Sequence, residues 1–156
     1  MSLQDEIKQS KPFERPGTEA LLSIVRTSAL LEHALGKALK PFGVTHTQYN
    51  ALRILRGAGA PGLCGREVGE RLLSPVPDVS RLLDRLTEMG LAARRPDPED
   101  RRQVRATITD AGLELLERAT PSLEEEQARW IDGVDEARLR ALTATLARIR
   151  AAADGG

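Results

Sequence analysis

Seven arginines stand within residues 81–105: Arg81, Arg85, Arg94, Arg95, Arg101, Arg102 and Arg105. The first two are one helical turn apart. The other five fill 91–105, where three acids face them and lysine is absent. A guanidinium cannot take part in proton transfer near neutrality, but its planar fork matches phosphate oxygens and base edges. The chemistry implied is therefore anion and base recognition. The alternative is a charged hairpin that is simply solvated.

Other chemistry finds little support. No Ser-His-Asp set or paired carboxylates stand out, and no enzyme is expected. His33 falls mid-helix and His46 in a capping turn, without Cys or a second His at ligand spacing, so neither metal nor cofactor is implied. Cys64 is the single cysteine, which excludes an internal disulfide, and it reads as structural. The run Gly57–Gly62 lacks a following Lys-Ser/Thr and reads as a turn, not a phosphate loop. Glu124–Gln127 looks like a solvated helix face.

Formal net charge is zero, yet the distribution is uneven. Residues 1–65 carry 8 Lys/Arg against 5 acids, 66–105 carry 9 against 8, and 106–156 carry 6 against 10, so an acidic end masks a mildly basic front. With 40% hydrophobic and 29% charged residues, the chain has the balance of a globular protein rather than a disordered one. The first ten residues hold no apolar run and no stretch has the length of a membrane span, so a cytoplasmic location is expected.

The elements that must hold the arginines can be read from periodicity and punctuation. Pro12, Pro16 and Gly17 close an N-terminal arm expected to be mobile. A helix follows from about Thr18 to Lys40, with Ile24, Leu31, Leu35 and Leu39 at helical spacing and Leu21 and Val25 beside them, and Pro41 and Gly43 stop it. Thr45 to Gln48 fits a capping box, and Val44 with Tyr49 a hydrophobic staple, for a second helix through Leu55. Cys64 to Glu67 repeats the box spacing with a thiol, a weak acceptor, ahead of a short helix to Leu73. Two registers are open for the next helix, in Ser74–Leu86: Ser74 caps it, or it begins at Pro77. Val76 precedes a proline and is biased away from helix, which favours the later start and puts Asp78 in the first turn. Prolines there would remove amides that lack intrahelical partners anyway. Met89-Gly90 predicts a glycine cap.

The period then changes to two. Leu91–Arg95 and Gln103–Ile108 read as strands around a polar tip at 96–102. Thr109-Asp110 caps a helix to about residue 131, and Asp135 opens a last one. In that last helix Leu139, Leu142, Leu146 and Ile149 form one seam, before a frayed end. Two striped helices after the hairpin have no evident core to serve, which favours a dimer interface over a monomer core.

A helix, a short helix, an amphipathic helix and an Arg-rich hairpin, in that order, make a winged helix-turn-helix. The stretch VSRLLDRLTEMGLAARRPDPEDRRQVRATITDAG (79–112) resembles the MarR family of bacterial transcriptional regulators. It carries the family's RL…GL…R run, a wing tip of D-x-R-R type, and TITDAG leading into the next helix. The likeness extends over about 18–152. It implies a mainly α fold with a small β-hairpin wing, a winged helix-turn-helix plus a helical dimerisation region. The parts would be an arm (1–17), a dimerisation helix (18–44), the DNA-binding domain (45–109), C-terminal dimerisation helices (110–152) and a tail (153–156).

The resemblance further implies a homodimeric repressor. It would sit on double-stranded DNA with a pseudo-palindromic operator, and a small aromatic or phenolic effector would release it. Pro77, Asp78, Ser80, Arg81 and Arg85 fall on the recognition helix or its tip. Asp78 is expected to accept from a cytosine amino group or to orient Arg81. Arg85 reads either as a DNA contact or as a partner of Asp84 or Glu88. In the wing, the resemblance makes Arg102 the minor-groove arginine, Asp100 the acid that orients it and Arg101 a phosphate contact. Arg94 and Arg95 are expected on the DNA backbone. Leu21 joins the Leu139, Leu142, Leu146 and Ile149 seam as dimer interface. Leu31, Leu35, Tyr49 and Leu52 would line the effector pocket, though plain core explains these four equally well. The competing function is a winged-helix protein-interaction module without DNA binding.

Overall fold

A computed structural model describes residues 2–155. Its elements are α1 (Leu3–Glu6), α2 (Pro16–Leu39), α3 (His46–Ala58), β1 (Leu63–Cys64), α4 (Gly65–Arg71), α5 (Val79–Glu88), β2 (Ala92–Pro96), β3 (Val104–Ile108), α6 (Asp110–Trp130) and α7 (Glu136–Asp154). This is a mainly helical chain with a small antiparallel sheet, the fold class expected. It divides after Leu123 into two units.

The first unit holds the core. Its fully buried large side chains come from five helices: Leu39 of α2, Leu52 and Leu55 of α3, Val68 of α4, Leu83 and Leu86 of α5, and Leu116 of α6. Each such side chain contributes about 1.5–3 kcal/mol by leaving water. Aromatics add little, since Tyr49 alone among them is buried; its hydroxyl meets Thr120 Oγ1 at 2.8 Å.

Local signals set the helix ends. The Thr45 box forms in both directions: the Gln48 amide donates to Thr45 Oγ1 at 3.1 Å, and the Thr45 amide to Gln48 Oε1 at 2.9 Å. Val44 and Tyr49 on either side are both buried, as a staple requires. At the end of α5, Gly90 takes a φ of 73°. That lets the Leu91 amide reach the Leu86 carbonyl at 2.9 Å and the Gly90 amide reach that of Thr87 at 2.9 Å, a Schellman ending. Thr109 caps α6 by accepting from the Gly112 amide at 3.2 Å while donating to the Gly90 carbonyl at 2.6 Å.

The sheet order is β1-β3-β2, all antiparallel. β1 was not expected. Its two residues carry too little alternation to signal a strand, and only pairing with β3 makes them one.

The N-terminal arm contains a short helical turn. Ser2 caps the turn Leu3–Glu6, Leu3 is buried, and Glu6 approaches Arg26 of α2 at 3.9 Å. Residue 1 of the expected arm and residue 156 of the expected tail lie outside the described residues. The helix in the tail continues to Asp154 rather than giving way at Ala151.

The second unit, from residue 124, comprises the end of α6 and α7. Asp135 caps α7, accepting from the Arg138 amide at 2.9 Å. Glu125 and Glu126 pair with Arg129 on the same exposed face, as a solvated face would. No residue of α7 is buried.

Candidate nucleic-acid interface

α5 is the most strongly amphipathic helix of the first unit. Leu83 and Leu86 face the core, while Ser80, Arg81, Asp84, Arg85 and Glu88 face solvent. It begins later than either expected register. Asp78 is its N-cap, and its Oδ1 accepts from the Arg81 amide at 2.9 Å. An acid with extended backbone satisfies an orphan amide better than a proline can. Pro75 and Pro77 therefore precede the helix and remove no helical amide. The Asp78 carboxylate engages the Arg81 backbone rather than its guanidinium.

β2 and β3 form the wing. Their register pairs Arg94 with Ala106, Arg95 with Arg105 and Pro96 with Val104, so residues 97–103 extend beyond the ladder. The tip closes on itself: the Asp97 amide donates to the Gln103 carbonyl at 2.8 Å, and the Gln103 amide to the Asp100 carbonyl at 2.9 Å. Asp100 Oδ1 accepts from the Arg102 backbone amide at 3.1 Å. Asp100 therefore contacts the Arg102 backbone, not its guanidinium, and shapes the turn that carries Arg102.

The arginines divide into two groups. Arg94 pairs with Asp84 of α5 and reaches Ser80 Oγ at 3.4 Å, and its Nε is buried without a partner. Arg85 pairs with Glu88 at 3.1 Å, the intramolecular alternative foreseen for it; both groups are well exposed, so the pair is worth little. Arg105 is bound most closely of all, to Asp97, Gly62 and Glu67. Arg81, Arg95, Arg101 and Arg102 are exposed and make no ion pair among the described residues. Arg102, Ser80 and Arg94 border one open groove of ≈ 690 Å³, together with the start of α4.

Asp97 was not singled out by sequence reasoning, while Arg105 stood there only as one of the arginines and Glu67 only as a capping-box position. Asp97 is the one buried charged residue among the described residues, at 7% exposure. The Arg105 guanidinium, and then the amides of Glu99 and Asp100, hold its carboxyl below the usual carboxylate range. Glu67 accepts from the Cys64 amide at 2.8 Å, and this bond, then the thiol, lowers its carboxyl too. Asp97 in turn raises Arg105. Alternation on β3 placed Arg105 on the face away from the core; spacing gave no sign that Asp97, the Gly62 carbonyl and Glu67 meet it there.

The four residues expected around an effector sit differently. Tyr49 and Leu52 are sealed in the core, Leu35 packs against it, and Leu31 is exposed on α2. The open depression between α2 and α3 is bordered instead by Glu32, Gly36, Lys40 and His46, with His46 Nδ1 2.9 Å from Glu32. Burial of Tyr49 and Leu52 agrees with the plain-core alternative for these two residues.

A capped helix with a charged outer face that bears Arg81 and Arg85, followed by an arginine-tipped hairpin, defines a winged helix-turn-helix protein. Comparison with known proteins gives the family. The model of the MarR family matches residues 42–103. The chain is 32% identical over 131 residues to the HTH-type transcriptional regulator YkoM of Bacillus subtilis, covering 84% of this chain and 79% of that one. Among solved structures it resembles Sco5413, a MarR family regulator from Streptomyces coelicolor, at 33% identity and TM-score 0.76, covering 90% and 96%. It also resembles CouR from Rhodococcus jostii, solved with p-coumaroyl-CoA, at 27% identity and TM-score 0.70, covering 88% and 95%. The chain belongs to the MarR family of transcriptional regulators, and such regulators are not enzymes. Among the described residues, no helix is long and apolar enough to cross a membrane.

Proposed function

We propose that the protein is a homodimeric repressor that reads a pseudo-palindromic operator in double-stranded DNA and is released by a small aromatic or phenolic ligand. The observation that carries the DNA reading is the set of exposed arginines without ion-pair partners on two adjoining elements, Arg81 on α5 and Arg95, Arg101 and Arg102 on the wing. Recognition helices enter the major groove, and wing arginines reach the neighbouring minor groove or backbone. The competing reading as a protein-interaction module drew on the acid at the helix tip. Asp78 is occupied in capping, which leaves the zero net charge as the remaining ground for that reading.

Dimerisation is supported by apolar side chains left in solvent. On α2 these include Leu21, Leu22 and Val25, the last 66% exposed, and on α7 Leu142 at 54%. Leu139, Leu146 and Ile149 are only half-buried. Ligand release is supported by the family and by CouR's bound acyl-CoA, and leaves the chemical identity of the effector open to screening.

Titrating a fluorescent duplex, selected by the protein from a random-site library, tests the reading. Several neutralised phosphates give a log–log salt slope of several units, near 0.9 per phosphate. Failure to bind any duplex at low salt would return the interaction-module reading.

A further inference from the structure

Residues 98–103 are all exposed, so no apolar burial holds the wing tip in place. The ladder also ends before it, at Pro96 and Val104. What organises the tip is Asp97. One carboxylate oxygen accepts from the amides of Glu99 at 2.8 Å and Asp100 at 3.1 Å, and the other from Arg105 Nε. Arg105 lies at the centre of the sheet, opposite Arg95 on one side and Cys64 on the other. Its Nη1 donates to the Gly62 carbonyl at 2.7 Å and stands 3.5 Å from Glu67 of α4. Gly62 holds that carbonyl with φ at 87°, and a Cβ there would lie 2.3 Å from the Ala106 carbonyl. Glu67 closes the chain of contacts on the Cys64 amide at the start of α4.

A polar relay thus runs from the wing tip through β3 to the helix-turn-helix. Only Asp97 in it is buried; Arg105 and Glu67 border the same groove as Arg102 but are half-buried and engaged with each other, whereas Arg101 and Arg102 are exposed. We propose that Asp97 and Arg105 are positioning residues for DNA binding: they hold the tip so that Arg101 and Arg102 stand at a set place relative to α4 and α5. The inference rests on the DNA-binding reading above. Its physical basis is preorganisation. A polar loop without this relay regains conformational freedom, and two long arginine side chains then lose more entropy on binding.

A double-mutant cycle separates positioning from general stability. Affinity for the library-selected duplex is measured for wild type, Asp97→Asn, Arg101→Ala/Arg102→Ala, and the combination, with thermal unfolding of each recorded alongside. Asn keeps the size and an acceptor for the tip amides while removing the charge facing Arg105. Asp97→Asn is expected to weaken binding roughly tenfold, about the worth of one good contact. It should cost nothing further once both arginines are gone. Equal loss in the two backgrounds overturns the inference and leaves DNA binding intact. A wild type that binds no duplex overturns both. If Asp97→Asn does not fold, Glu67→Gln tests the same relay from α4: a loss confined to the background with both arginines supports it, and an equal loss in both sinks it.

Discussion

The guanidinium of Arg94 on β2 pairs with the carboxylate of Asp84, and so ties the hairpin to α5. Both groups belong to the face proposed to meet DNA. The pair commits an arginine that would otherwise be available to a phosphate, and it places a carboxylate where phosphates approach. Asp84→Asn is expected to release Arg94, raise duplex affinity several-fold at low salt and steepen the salt slope by about 0.9, at a stability cost of at most about 1 kcal/mol. Anisotropy across a salt series checks it; an unchanged slope would mean that Arg94 stays on the protein.

Asp78 acts as a cap. Asp78→Ala should lower stability by about 1 kcal/mol in urea unfolding, the usual worth of an N-cap. Sequence preference among duplexes should be retained. Relaxed preference with full stability would restore Asp78 to base readout.

Gly112 poses a contest between propensity and packing. Alanine is favoured over glycine within helices by about 1 kcal/mol. Here, however, a Cβ would lie 2.3 Å from the Leu91 carbonyl and 2.7 Å from Ile108 Cγ1. Gly112→Ala should therefore destabilise, by about 1–3 kcal/mol as overpacking does. A higher Tm in the variant would show that α6 can shift away.

Acid should loosen the relay. The carboxyls of Asp97 and Glu67 are lowered in the folded chain, so the unfolded chain binds protons more readily. Their stabilisation is complete above the unfolded carboxylate range, near pH 4, and drains away as pH falls through their lowered values. Unfolding free energy measured from pH 6 down to pH 2 should fall less steeply in Asp97→Asn than in wild type. Parallel profiles would show that Asp97 carries no such linkage.

Leu142 tests association. Leu142→Glu changes a side chain already 54% exposed within the chain, so the fold should persist. Sedimentation velocity should show wild-type dimers and variant monomers at micromolar concentration. Dimers in both would remove the α7 seam from the interface.

Much of the molecule was legible in order of residues. The Thr45 box, the Met89-Gly90 ending and the Thr109 cap all involve partners within five residues or so, and short-range hydrogen bonding leaves its signature in spacing. The start of α5 was read wrongly because prolines compete for the first turn. Asp78, with its carboxylate three residues from a free amide, makes the better cap. Tyr49 and Leu52 shared helical spacing whether they lined a pocket or filled a core, and spacing cannot distinguish the two.

Sequence by itself determined the helix-turn-helix order, the wing and the arginines it bears, since each follows from local periodicity and from residue chemistry. Tertiary structure alone decided which arginines are free. Arg105 and Arg102 look alike in the chain, three residues apart. One is held by Asp97, Gly62 and Glu67 and the other is exposed without an ion pair, because the β2–β3 hairpin sets Asp97 beside Arg105 and pairing of β1 with β3 brings Gly62 and Glu67 against it from some forty positions away. Charge is written in the chain; whether it is already neutralised depends on contacts that only the folded backbone creates.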